Sequence, residues 1–227
     1  MPTTAELLKL VNAMALVPVT LLPIINPLAG APVFLMTAGH DPSAIRQLSR
    51  QVAINCWFVL VASLFVGTYV LELFGISLPI VRIGGGLLVA ASGWRMLNHS
   101  DDDEVHAAVK RSQSAALTRA EVVKRSFFPV TFPLTTGPGT IAAAIAIGAG
   151  LPRQPVMYVA SAAVSLVGAA ITVAVIYLVY RNAGRLMARL GEVGTLVMTR
   201  LMAFVLLCIG IEILWTGWAE LNGIGAR

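Results

Sequence analysis

The sequence predicts an all-α polytopic membrane protein. Of the 227 residues, 57% are hydrophobic and only 12% are charged, and the mean hydropathy is +0.83. A soluble domain of this length carries about 25% charged residues. Apolar runs of about twenty residues, which is the length of a membrane-spanning helix, recur along the whole chain. Because the ten-residue alternation of a membrane β-barrel is absent, we expect helices and no strands.

Six transmembrane segments are predicted, in two groups of three. A polar stretch separates the groups, so we divide the chain into a first three-helix repeat at 1–99, a cytoplasmic linker at 100–125 and a second, inverted three-helix repeat at 126–227. The expected segments cover about 5–38, 46–74, 76–97, 126–150, 154–180 and 193–221.

The basic residues predict the orientation of the chain in the membrane. The loops after segments one, three and five hold most of the Lys and Arg, and the opposite side holds only Lys9, Arg153 and Arg227. Since basic loops stay in the cytoplasm, we expect both termini outside and the linker inside. The same rule accounts for the net charge of +5, so we expect no nucleic-acid partner.

Two Pro-containing motifs interrupt the first and fourth segments. PVTLLPIINPLAG begins at Pro18, and PVTFPLTTGPGTI begins at Pro129, a shift of 111 residues. This alignment places Asn26-Pro27 over Gly137-Pro138. Both motifs predict broken or re-entrant segments, because proline removes a backbone donor and clashes with the preceding turn.

The two copies predict an inverted repeat. Arg82 in the third segment aligns with Arg200 in the sixth. Each half has three spans, so the second half has to insert upside down. Inverted repeats with interrupted helices are typical of secondary transporters.

The breaks predict a site for an anionic group. A proline suits the first position of a helix, so Pro27 and Pro138 are expected to open two short helices, with Asn26 and Thr136 or Gly137 at or near the N-caps. Helix N-termini attract anions, so a carboxylate or a phosphate fits both ends. The alternative is a plain structural kink. The predicted binding residues at the breaks are Asn26, Pro27, Gly30, Thr135, Thr136, Gly137, Pro138, Gly139 and Thr140.

Glycines and threonines at the breaks have two interpretations. Gly30 and Gly139 allow close approach of a ligand or of another backbone. The hydroxyls of Thr135, Thr136 and Thr140 either ligate a substrate or cation, or satisfy backbone carbonyls that proline has freed.

Arginines inside membrane segments are costly and need partners. Because Glu212 lies at a depth similar to that of Arg82, we predict a structural ion pair between them, and Arg82 is also a candidate for substrate binding. Arg200 lacks a matching carboxylate, so it is predicted either to bind an anionic ligand or to cap backbone carbonyls. Asn55, near the start of segment two, is a further candidate for substrate binding.

No catalytic, metal-ligating or nucleotide-binding motif appears, so we expect neither an enzyme nor a cofactor. The expected partners are the lipid bilayer and a small-molecule substrate. A coupling ion, H⁺ or Na⁺, and a homo-oligomer are left open.

Three blocks resemble a known family, the MarC family of bacterial inner-membrane proteins. They are INPLAGAPVFL at 25–35, GISLPIVRIGGGLLVAASGWRML at 75–97 and PLTTGPGTIA at 133–142. The resemblance covers essentially the whole chain. It implies six transmembrane helices in a bacterial inner membrane and a relation to the LysE-type superfamily of small-solute exporters. Some members of the MarC family are associated with transport of small neutral amino acids.

The leading hypothesis is a secondary transporter of a small solute with an anionic group, such as an amino acid, working by alternating access around the breaks. The alternatives are handling of a phosphate-bearing lipid, or a membrane scaffold or sensor that transports nothing.

Overall fold

The protein is all-helical over the residues that the structure describes. The structure is a computed structural model, and it describes residues 4–39, 41–98, 124–151 and 154–224. In chain order the helices are α1 (Thr4–Ile25), α2 (Pro27–Ala38), α3 (Pro42–Phe65), α4 (Gly67–Leu73), α5 (Leu78–Asn98), α6 (Ser126–Thr135), α7 (Pro138–Ala149), α8 (Pro155–Arg181) and α9 (Ala183–Leu221).

Four helices are long and apolar enough to cross a membrane, and two bent pairs raise the number of spans to as many as six. The four are Pro42–Phe65, Leu78–Asn98, Met157–Arg181 and Val193–Leu221. The predicted all-helical class is therefore confirmed. The segment expected at 46–74 is divided at Val66 into α3 and α4.

Both predicted breaks are present at the predicted residues. Ala15–Ile25 and Pro27–Ala38 meet at a bend of 55°, and Ser126–Thr135 and Pro138–Ala149 meet at a bend of 67°. The N-cap residues are Asn26 for α2 and Gly137 for α7, each followed by proline. Each bent pair is either a broken span or a re-entrant loop.

Helix α6 is distorted by its two prolines. Its hydrogen bonds close over five residues, and the backbone is extended at Phe128 and Phe132, each of which precedes a cis proline. The residue before proline avoids the α region for steric reasons. The distortion therefore follows from Pro129 and Pro133.

Helices α5 and α9 pack along a row of small residues that we call the glycine seam: Gly86, Ala90 and Gly93 on α5, and Ala203, Gly210 and Gly217 on α9. A Cβ at Gly86 would lie 2.5 Å from the backbone nitrogen of Leu214 on α9, and a Cβ at Gly93 equally close to that of Leu207. Glycine at these positions lets the two backbones touch, which is how membrane helices gain packing energy.

Helix α9 contains an internal break that the sequence analysis did not predict. Gly191 has φ 65° and ψ −179°, a backbone conformation that favours glycine. The residues before it form a separate amphiphilic piece, and the apolar part is Val193–Leu221, as expected from the sequence.

The two bent pairs pack against each other in a crossed manner. Helix α1 contacts α7, and α2 contacts α6. Two bent segments that run in opposite directions pack in this way. The domain division at 1–99, 100–125 and 126–227, and the inverted relation of the repeats, stay predictions. Most of the linker lies outside the described residues.

Candidate functional site

The two breaks lie near each other in the molecule. A Cβ at Gly30, in the first turn of α2, would lie 3.7 Å from the side chain of Leu134, in the last turn of α6. Asn26 precedes Gly30 by four residues and Gly137 follows Leu134 by three. Each break is thus about one helical turn from this contact.

Asn26 shapes the first break through both its backbone and its side chain. Its φ of 45° is left-handed, a conformation that asparagine tolerates better than most residues. Its Oδ1 accepts a hydrogen bond from the backbone N–H of Ala29 at 3.3 Å. The side chain is buried, with only 7% exposed. Its Nδ2 is buried and has no hydrogen-bond acceptor among the described residues.

The second break starts α7 without a side-chain cap. Gly137 has an extended backbone, with φ −72° and ψ 176°, and Pro138 follows at the first helical position. Gly139 lies directly against the side chain of Val89 on α5. The space beside each glycine is therefore occupied by a side chain of the protein: Tyr180 at Gly30 and Val89 at Gly139.

The threonine hydroxyls of α6 satisfy backbone carbonyls. Thr131 donates to the Ser126 carbonyl at 2.7 Å, Thr135 to the Val130 carbonyl at 2.7 Å, and Thr136 to the Thr131 carbonyl at 3.0 Å. Two interpretations were open for Thr135 and Thr136, and the observed contacts are those in which the hydroxyl satisfies a backbone carbonyl. Thr140 is buried in the first turn of α7.

Tyr180 connects the two bent pairs, and the sequence analysis missed it. Its hydroxyl lies 2.8 Å from Thr135 Oγ1 on α6 and 2.8 Å from the Cβ position of Gly30 on α2. Its ring stacks on Phe34 of α2, with centroids 4.6 Å apart and planes at 5°. A tyrosine at the end of an apolar run gives no sequence signal of this role, because its partners are distant in the chain.

Asn55 ties α3 to α6. Its Nδ2 donates to Ser126 Oγ at 3.2 Å and to Thr131 Oγ1 at 3.4 Å, and its Oδ1 accepts from Gln51 at 3.2 Å. Both ends of its amide are therefore engaged with protein groups. Asn55 acts in this structure as a positioning residue for α6.

Arg82 forms an ion pair with Glu220, so the predicted pair with Glu212 is wrong. Gly217, which packs on Arg82, marks the face of α9 that points to α5. At about 100° per residue, Glu220 lies about 60° from that face and Glu212 about 140° from it. Along the helix axis Glu220 is three residues from Gly217 and Glu212 is five, so Glu220 is also the nearer of the two in level. The predicted pair was therefore misplaced both along α9 and around it.

Arg200 caps the C-terminal end of α5. Its guanidinium donates to the Leu97 carbonyl, and the Met96 carbonyl lies 3.4 Å away. Cations at a helix C-terminus are favourable because the last carbonyls lack helical partners. Of the two predicted roles for Arg200, the structure shows capping.

The side chains named around the two breaks are all neutral, and both membrane arginines are engaged within the α5–α9 pair. The described residues contain no group of three His, Cys, Asp or Glu that would hold a metal. A cavity of about 250 Å³ lies elsewhere, between α4, the start of α5 and the end of α7, and Glu72, Ser77 and Ala149 are among its lining residues.

These features define a helical membrane protein with two neighbouring breaks whose helices pack in a crossed manner. The model of the MarC family, described as MarC family integral membrane protein, matches residues 11–221. The relatives named UPF0056 inner membrane protein MarC, from Escherichia coli K12 and from Shigella flexneri, are each 32% identical over 218 residues, which is 95% of this chain and 98% of theirs. The chain belongs to the MarC family. No solved structure matches it.

Proposed function

We propose that this protein is a secondary transporter of a small solute with an anionic group, such as an amino acid, in the inner membrane of a bacterium. The observation that carries the proposal is the crossed packing of the two neighbouring breaks, with Gly30 against Leu134. Broken helices in a membrane persist only where protein or water surrounds the freed backbone groups. Neighbouring breaks in two membrane segments are the usual place of a transporter's substrate site.

Alternating access follows from this arrangement. Helix α2 packs on α6, and α1 packs on α7. Separation of one of these contacts opens the breaks to one side of the membrane, and separation of the other opens them to the opposite side. Both termini would lie outside. Transport needs no covalent chemistry, so we propose no enzymatic step, and a gradient of H⁺ or Na⁺ would supply the driving force.

A second candidate function is a membrane scaffold or sensor, and tight packing favours it. Tyr180 fills the space at Gly30, and Val89 fills the space at Gly139. Close packing of this kind suits a transporter in a closed conformation, and it also suits a protein in which nothing passes the breaks.

Uptake into proteoliposomes separates the two functions. Purified protein is reconstituted into liposomes, and uptake of each of the twenty radiolabelled L-amino acids is measured under a pH gradient, a Na⁺ gradient and counterflow. Protein-free liposomes are the control. We expect saturable uptake of at least one amino acid. Uptake equal to that of protein-free liposomes under all three conditions would refute transport of amino acids.

A further inference from the structure

The side-chain amide of Asn26 has a fixed orientation. Its Oδ1 accepts from the N–H of Ala29. The flipped amide would place its NH₂ group against this N–H, and two donors would then face each other. The end of the amide that is left for a partner is therefore the donor, Nδ2.

This donor is buried without an acceptor in the described part of the chain. Buried polar groups in proteins are nearly always hydrogen-bonded, so an exception calls for an explanation. The hydroxyl protons of Thr131, Thr135 and Thr136 are all donated to backbone carbonyls, so these threonines supply no donor for a ligand. The donors of the second break are the N–H groups of α7, which begins at Gly137 without a side-chain cap. Both breaks therefore offer donors, and the complementary ligand atom is an acceptor.

The lack of a free cationic side chain among those named around the breaks favours a carboxylate over a phosphate as the acceptor. Phosphate groups are usually bound by arginine or lysine, which neutralise their charge. Arg82 is paired with Glu220, and Arg200 caps α5. A carboxylate carries a single charge and two acceptor oxygens, which the two N–H groups of one amide and the N-terminus of a helix can satisfy.

We infer, on the basis of the transport function proposed above, that Nδ2 of Asn26 donates a hydrogen bond to a carboxylate of the solute. The binding site selects carboxylates over phosphates and over uncharged carboxamides. Because Nδ2 is buried in the described conformation, the solute reaches it only when the bent pairs separate.

Binding to the wild-type protein tests the selectivity. The full chain is purified into lipid nanodiscs, and the melting temperature is measured with each of the twenty L-amino acids, with their carboxamides and with inorganic phosphate. We expect at least one amino acid to raise the melting temperature, and its carboxamide to bind at least about tenfold more weakly, since a charge-assisted hydrogen bond is lost. Absence of binding by all twenty acids, equal binding of the carboxamide, or stronger binding of phosphate would overturn the inference.

Substitution of Asn26 tests the residue itself. Asn26→Asp keeps an oxygen for the cap and places a charge opposite the carboxylate, and Asn26→Gly keeps the left-handed backbone and removes the donor. Both variants are expected to bind the acid at least about tenfold more weakly. Asn222→Asp is the matched control, because the amide of Asn222 donates to the Trp218 carbonyl at an exposed helix end. It is expected to bind like wild type.

The two proposals fail in different ways. If Asn26→Gly melts like wild type without ligand and binds the acid with wild-type affinity, the carboxylate contact is refuted even where uptake is normal. If binding depends on Asn26 but the proteoliposomes take up nothing, the contact stands and the transport function falls. The Gly variant decides the question if the Asp variant does not fold.

Discussion

The effects of substitutions at Tyr180 and Gly30 on stability are expected to be coupled. Gly30→Ala should destabilise the wild-type protein but not the Tyr180→Phe variant. A Cβ added at Gly30 would lie 2.8 Å from the hydroxyl oxygen of Tyr180, which is only 1% exposed and has no room to withdraw. Overpacking of this kind typically costs about 1–3 kcal/mol. Alanine in a helix gains about 0.5–1 kcal/mol over glycine. Gly30→Ala alone should therefore destabilise the protein by up to about 2.5 kcal/mol.

Tyr180→Phe removes the obstructing oxygen and one hydrogen bond. Thr135 donates its only hydroxyl proton to the Val130 carbonyl, so Tyr180 is the donor in the bond between their hydroxyls. After the substitution Thr135 still has a partner. A typical hydrogen bond contributes about 0.5–1.5 kcal/mol to stability. The loss of stability on Tyr180→Phe should be near the low end of this range. In the Tyr180→Phe background, Gly30→Ala should become neutral or stabilising by up to about 1 kcal/mol.

Equilibrium unfolding in mixed detergent micelles, followed by the helical circular dichroism signal, gives the free energy of unfolding of the four proteins of this double-mutant cycle. We expect a coupling free energy of about 1–3 kcal/mol between Gly30 and Tyr180. If the double variant costs the sum of the two single variants within about 0.5 kcal/mol, the steric argument is wrong.

Two further predictions concern α5 and α9. Arg82→Gln and Glu220→Gln should each lower the free energy of unfolding by up to about 1 kcal/mol, the usual range for a partly exposed pair, whereas Glu212→Gln should change it by less than about 0.5 kcal/mol; an equal loss with Glu212→Gln would contradict the observed pairing. Gly93→Ala should lower the free energy of unfolding by at least about 2 kcal/mol, because its Cβ would meet the backbone of α9. Gly84→Ala should be neutral or stabilising, because no atom lies within 4 Å of its Cβ position. Thermal unfolding of the two alanine variants checks this difference, and similar melting temperatures would speak against the glycine seam.

The sequence predicted what depends on local chemistry. Proline favours the first position of a helix, so Asn26-Pro27 and Gly137-Pro138 located both breaks correctly. Other prolines, Pro18, Pro23 and Pro32, lie inside helices. Apolar length located the spans in the same way. The N-cap role of Asn26 also followed from its residue type and from the proline after it.

The contacts that the sequence did not predict depend on which faces of the helices pack against each other. The partner of Arg82 was misassigned because Glu220 is nearer than Glu212 to Arg82 both along α9 and around it. The sequence alone does not give the register of α9 against α5. Tyr180 was missed because its contacts with Gly30 and Thr135 join residues that are far apart in the chain. The engagement of Asn55 with α6 was missed for the same reason.

The glycine seam has a consequence for motion. At Gly86, Gly93 and Gly210 the backbones of α5 and α9 lie so close that even one added methyl group would meet the backbone of the other helix. We therefore expect α5 and α9 to move as one body. The alternating access proposed above would then be carried by displacement of α2 and α6 relative to this pair. Spin labels on α5 and α9 would keep a constant separation throughout such a cycle, while labels on α2 and α6 would report two distances.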